Sequence, residues 1–302
     1  MGRVAFSDDE RHIVSFFCPG AIFFHEDKKF ITEYSGKPTC AKGEPKTDIY
    51  VMAREESSDR KIELKISYKK KNADFLENKT NAARASEIFG DRWESIIRNS
   101  TESIHKEFEN KPLIYKEKHG RTQKGSFTLG WKFELVNKPG GYLSDQMRMT
   151  TEQLIDVYSG SNLPPDKRNA NVDGRVIPNS GIADYILSHE ISQSDSVQSI
   201  VDNLVTVEDY VYENPQIYFA CKALNYRSFD SKYDGNRPLS VFVEWGISCG
   251  RLTPTLRYDK PLTIGGDFTV KRLIDCMRQL GIQNTDDIHS GNISSTSIVY
   301  GV

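Results

Sequence analysis

Asp48, Glu63 and Lys65 are the residues of this sequence whose types and spacing suit metal-assisted hydrolysis of a phosphodiester. Asp48 closes the run Gly43-Glu44-Pro45-Lys46-Thr47-Asp48 and opens an apolar one, so a carboxylate stands at the start of a strand behind a stiff loop. Glu63 and Lys65 are two residues apart, a spacing that sends both side chains to one face of a strand. The residues between Asp48 and Glu63 are enough for a strand end, a turn and a return strand. A hairpin is therefore expected to bring all three groups to one end of a sheet.

Mg²⁺ takes oxygen ligands, keeps several waters and holds on through one or two carboxylates. Asp48 and Glu63 are the expected ligands, with the backbone carbonyl of Leu64 as a third donor. Bound water becomes more acidic, and charge developing on the phosphate is neutralised. Lys65, beside two carboxylates and a cation, is placed to orient or deprotonate that water, or to stabilise the pentacovalent phosphate.

The elements around these residues follow from periodicity. Ser7-Asp8-Asp9-Glu10 is a helix-start pattern that Pro19-Gly20 ends. Thr47 to Ala53 and Lys61 to Tyr68 alternate as strands, and the polar run Arg54 to Arg60 joins them as an antiparallel hairpin. Asn81 to Glu109 has helical spacing, as do Ile182 to Leu187, Val197 to Tyr212 and Val270 to Leu280, the last closed by Gly281. Phe127 to Leu135, Ile217 to Tyr226 and Leu239 to Ile247 are expected strands, and Gly160 to Gly181 a long loop. A mixed α/β fold follows. The break at Pro139-Gly140-Gly141 divides the chain into 1–138, a catalytic core, and 139–302, recognition and dimerisation elements or parts completing the same compact unit.

Pro45-(x2)-Asp48 followed by Glu63-Leu64-Lys65 resembles the PD-(D/E)xK nuclease superfamily. The run GEPKTD, then IELKISYKK, is similar to type II restriction endonucleases. Lys46 and Thr47 separate the proline from the aspartate, a departure from the motif. The resemblance covers roughly 8–135. It implies a mixed central β-sheet flanked by helices, a restriction endonuclease-like core with additional α+β elements, and Mg²⁺ (or Mn²⁺) as cofactor. It also implies that Glu10, on the first helix, is a further metal ligand, although a capping role accounts for it too.

Basic residues near the triplet suit a DNA backbone: Lys46, Ser67, Lys69, Lys70 and Lys71, and further along Arg121 and Lys124. A charged strand end or loop explains each equally well. Lys222, Arg227, Arg251 and Arg257 are further candidates for reading bases. The chain carries 40 Lys and Arg against 42 Asp and Glu, so any nucleic-acid surface must be a local patch. Five cysteines without a C-x-x-C pair point to neither a disulfide framework nor a zinc site. No apolar run approaches the ~20 residues that span a bilayer, and Met1 to Glu10 lacks the order of a signal peptide, so a cytoplasmic protein without membrane contact is expected.

The expected function is a Mg²⁺-dependent endonuclease cutting double-stranded DNA at a specific sequence. One active site cuts one strand, so a homodimer is expected. The alternatives are a structure-specific or phage-processing nuclease of the same superfamily, and a non-catalytic DNA-binding module in which the charged trio only forms ion pairs.

Overall fold

A computed structural model describes residues 8–41, 43–70, 75–78, 80–192 and 195–301. The fold is mixed α/β, as expected. Among the described residues no helix is long and apolar enough to cross a membrane.

Packing divides the chain into two units, each made of two stretches: Met1–Asp74 with Met149–Pro215, and Phe75–Arg148 with Gln216–Val302. The division therefore does not follow the expected 138/139 boundary. Pro139 to Gly141 is a turn inside the second unit, because Ser144–Gln146 just after it pairs with Tyr218–Ala220. The short strand Phe75–Glu77 belongs there too, paired to the long strand Ser126–Val136.

The first unit starts with helix α1 (Asp8–Phe16). Strands β1 (Ile22–His25), β2 (Lys28–Gly36), β3 (Ile49–Glu55) and β4 (Lys61–Tyr68) follow as an antiparallel meander. Glu26 and Asp27 turn β1 into β2 with positive φ (49 and 59) at both positions, the conformation that matches strand twist in two-residue hairpins. After the second unit's first stretch the chain returns as helix α2 (Thr151–Ser159) and strand β5 (Tyr185–Leu187), which lies parallel to the end of β4. Helix α3 (Val197–Asp202), edge strand β6 (Leu204–Thr206) and helix α4 (Val207–Glu213) complete it. The sheet order is β1-β2-β3-β4-β5-β6.

Alternation along β3 and β4 sends Ile49, Val51, Ala53, Leu64 and Ile66 to one face. There they form a core with Ile13 and Phe17 beneath α1, and with Leu187, Ile200 and Val201. Full burial of each such side chain contributes about 1.5–3 kcal/mol, which fixes this face and so the register of the hairpin. The opposite face carries Tyr50, Met52, Glu63 and Lys65.

Three expected helices differ. Ile182 to Leu187 contains β5 rather than a helix, since its backbone groups bond to both β4 and β6. Val197 to Tyr212 is split by β6 into α3 and α4. The expected 81–109 helix is three helices, Ala82–Phe89, Trp93–Ser103 and His105–Glu109, broken first at Gly90, whose φ of 66 leaves the helical region. The second unit is built on Ser126–Val136, flanked by Tyr218–Arg227 and Val241–Ser248 as expected, with helix Gly266–Gln279 over the sheet.

Candidate active site

Hairpin register decides which of the expected groups meet. Ile49 pairs with Ile66, Tyr50 with Lys65, Val51 with Leu64 and Met52 with Glu63. Asp48 lies just beyond the ladder, with its amide donating to the carbonyl of Ile66 at 2.8 Å. It is thus two residues past the position opposite Lys65 and four past the one opposite Glu63. At the rise of an extended chain, Asp48 and Glu63 are roughly 13 Å apart along the strands. The expected convergence of Asp48, Glu63 and Lys65 at one point does not occur. The set divides into two groups.

The first group surrounds Asp48. Its Oδ2 accepts the backbone N–H of Tyr68 at 2.8 Å and the hydroxyl of Ser67 at 3.3 Å. Burial pushes the Asp48 carboxyl above the ordinary aspartate range. Lys69, the Tyr68 amide and Lys37 pull it back, and Glu10 adds to the rise. The first turn of α1 reaches this end of the hairpin through two ion pairs, Lys37 with Glu10 at 2.5 Å and Lys70 with Asp9 at 2.6 Å. A helix carboxylate, a strand carboxylate and lysines from the end of β4 and the β2–β3 connection thus share one corner of the unit.

The second group surrounds Lys65. Its ammonium pairs with Asp184 Oδ2 at 3.1 Å, and its carbonyl accepts the Asp184 amide at 2.9 Å. Asp184 comes from the approach to β5, on the side of β4 away from β3. Burial raises the Asp184 carboxyl, while Lys65 lowers it and Glu63 adds to the rise. Glu63 Oε1 accepts the hydroxyl of Tyr50, whose ring is fully buried and stacks on Tyr34. Desolvation and the Glu63 carboxylate together hold the Tyr50 hydroxyl far above its ordinary range. Glu63, Leu64, Lys65 and Asp184, with Arg60 and Lys61, line a cavity of about 530 Å³. It lies beside the Lys61–Lys65 half of β4, which precedes the residues that pair with β5.

Glu10 beside Asp48 is an expected neighbour, whereas Asp184 is not among the expected site residues. Asp184 lies far along the chain in a segment read as helical. Lys69 had a signal within reach, because Ser67-Tyr68-Lys69 repeats the two-residue spacing of Glu63-Leu64-Lys65 four residues later.

The remaining expected residues fall as follows. Ser67 is fully buried, so its hydroxyl serves Asp48 from inside the fold and does not touch DNA. Lys46 sits in the loop before Asp48, its amide bonded to the Gly181 carbonyl at 2.9 Å. Lys70 is half-exposed and paired with Asp9. Lys71 lies outside the described residues, as does Ser7. In the second unit Arg121 is exposed in the turn between His119 and Thr122. Lys124 pairs with Asp286 at 3.3 Å. Arg227 pairs with Asp234, and Arg257 with Glu244 and Asp259.

For a divalent cation the donor chemistry at Asp48 fits: two carboxylates, Asp48 and Glu10, offer hard oxygens at one corner of the unit. Among the described residues there is no group of three or more His, Cys, Asp or Glu side chains arranged to hold a metal. Comparison of the chain with protein-family models, with curated proteins and with solved structures finds no match.

Proposed function

We propose that this protein is a metal-dependent DNA endonuclease whose catalytic residues lie in the first unit. The observation that carries the reading is the setting of Asp48. It stands just before β3 as a half-buried carboxylate, accepts the Tyr68 amide, and is flanked by Glu10 from α1 and by Lys69. The order of elements, a mixed sheet flanked by helices, suits the restriction endonuclease-like core that the sequence resembles.

Asp48 and Glu10 would hold Mg²⁺ or Mn²⁺, which when bound supplies an acidified water and neutralises charge on the phosphate. The chain's own contribution is positional. The Tyr68 amide and Ser67 hydroxyl fix the Asp48 carboxylate, and the Lys37 ion pair fixes Glu10. Lys46 and Lys70 stand near enough to the corner to grip flanking phosphates.

The substrate in this reading is double-stranded DNA, cut at a specific sequence by two copies of the chain, one for each strand. Cys18, Cys221, Cys249 and Cys276 are free thiols, which suits the reducing cytoplasm.

The test is incubation with unmethylated phage DNA and Mg²⁺, with and without EDTA. Discrete fragments that EDTA abolishes are expected. A smear would keep the hydrolysis and discard sequence reading. DNA left intact with Mg²⁺, and again with Mn²⁺ in its place, would overturn the nuclease and leave a binding module.

A further inference from the structure

We propose that Lys69, and not Lys65, is the lysine that acts on the phosphate beside Asp48. The inference rests on the nuclease reading and names a residue within it.

Three observations carry it. Residues that alternate along an extended chain share a side, and the Ser67 hydroxyl reaches Asp48 at 3.3 Å, so Lys69 leaves the chain on Asp48's side. The intervening Tyr68 amide is bonded to the same Asp48 oxygen at 2.8 Å, and the Lys69 amide is bonded to the Leu187 carbonyl at 2.8 Å. The backbone that bears Lys69 is therefore anchored on both flanks. The Lys69 charge also pulls the Asp48 carboxyl down against the rise that burial imposes. Lys65 is held differently: it leans toward Asp184, on the side of β4 away from the strand that Asp48 begins, and only 11% of its side chain is exposed.

In the reaction one water is consumed. Its oxygen bonds to phosphorus, the P–O bond to one sugar breaks with its electron pair, and a proton from the water passes through solvent to that sugar oxygen. The ammonium of Lys69 donates to a non-bridging phosphate oxygen and offsets the charge that builds there. Donors of this kind typically contribute a factor of about 10²–10³ in rate. Lys65 in this account is Asp184's partner and braces β4 against the approach to β5.

The experiment compares K69M with K65M in the full chain, with matching circular dichroism as the control for folding. Cleavage of DNA with Mn²⁺ is followed alongside calorimetric titration of Mn²⁺ without DNA. For K69M the expected result is a loss of cleavage of about 100-fold or more. Mn²⁺ binding should tighten severalfold in the same variant, because a like charge has left the cation's neighbourhood. For K65M both readouts should stay close to those of the unaltered protein. Loss of cleavage in K65M with K69M still cutting would overturn the inference and leave the nuclease reading standing. Absence of cutting by the unaltered protein with Mn²⁺ bound would overturn both.

Discussion

Lys65 and Asp184 are joined twice: the lysine ammonium donates to the Asp184 carboxylate at 3.1 Å, and the Asp184 amide donates to the Lys65 carbonyl at 2.9 Å. Side chain and backbone of one lysine are thereby committed to one aspartate just before the next strand. The pair is asymmetric in exposure, 11% for the lysine side chain and 45% for the aspartate. Removing either partner leaves a different residue behind, and that difference can be measured.

D184A strands a nearly buried ammonium, whereas K65M leaves a carboxylate that water can still reach. The pair is partly screened by solvent, so D184A should cost about 1–2 kcal/mol, below the range for fully buried pairs. K65M should cost less. Urea unfolding of the two variants checks the order; equal losses would mean that solvent compensates both sides alike.

Tyr50 gives a second prediction. Its ring is buried and its hydroxyl donates to Glu63, so Y50F leaves a carboxylate oxygen without that donor. A cost of about 1–2 kcal/mol is expected. In an E63Q background the same change should cost less, since the bond then ends on a neutral group. A double-mutant cycle in urea gives the coupling directly, and a coupling near zero would show that the bond adds nothing to stability.

Gly181 positions the loop that introduces Asp48. Its carbonyl accepts the Lys46 amide, its own amide donates to the Arg168 carbonyl at 2.9 Å, and a Cβ there would lie 1.9 Å from the Lys167 carbonyl oxygen. G181A must move backbone and should cost about 1–3 kcal/mol. It should also weaken Mn²⁺ binding, because Pro45 lies against the same spot and the 45–48 segment would shift with it. A variant as stable as the unaltered protein would contradict this packing.

Glu134 predicts a pH dependence in the second unit. It is 4% exposed, Lys132 holds one oxygen at 3.4 Å, and Oε2 has no hydrogen-bond partner among the described residues. Burial raises its carboxyl above the ordinary glutamate range despite Lys132 and Lys222. A carboxyl raised in the folded state binds its proton more tightly there than when unfolded. Its ionisation therefore costs stability, a cost absent below the unfolded value and complete above the raised folded one. Relative to E134Q, the unaltered protein should lose stability as pH climbs from about 4.5 upward. Urea midpoints that stay parallel over that range would contradict it.

Much of the fold was legible in the sequence, and the reasons it was legible also mark the limits. β3 and β4 are legible because Ile49, Val51 and Ala53, and Ile62, Leu64 and Ile66, recur at every second residue on the face packed into the core, which writes a period of two into the sequence. Which residue faces which was not written in the same way. Pairing of Ala53 with Ile62 depends on how the chain turns between Glu55 and Arg60, where the Glu55 amide bonds to the Arg60 carbonyl at 2.8 Å. That turn sets Asp48 opposite Ser67 and away from Glu63. β5 was misread because three residues are too few to show a period, and Ile182, Ala183, Ile186 and Leu187 also fit a helix. Asp184 was hidden for the same reason: its partner is supplied by a parallel strand from a distant part of the chain. The triplet Glu63-Leu64-Lys65 drew attention through its spacing, yet Ser67-Tyr68-Lys69 has that spacing too and is the one that borders Asp48.

The measurement that bears most directly on the account is calorimetric titration of Mn²⁺ into the unaltered protein, D48N and E63Q. The account predicts that D48N loses the binding seen in the unaltered protein and that E63Q retains it. Binding kept by D48N and lost by E63Q would place the cation in the cavity at Lys65 and Asp184, and would contradict a centre built on Asp48.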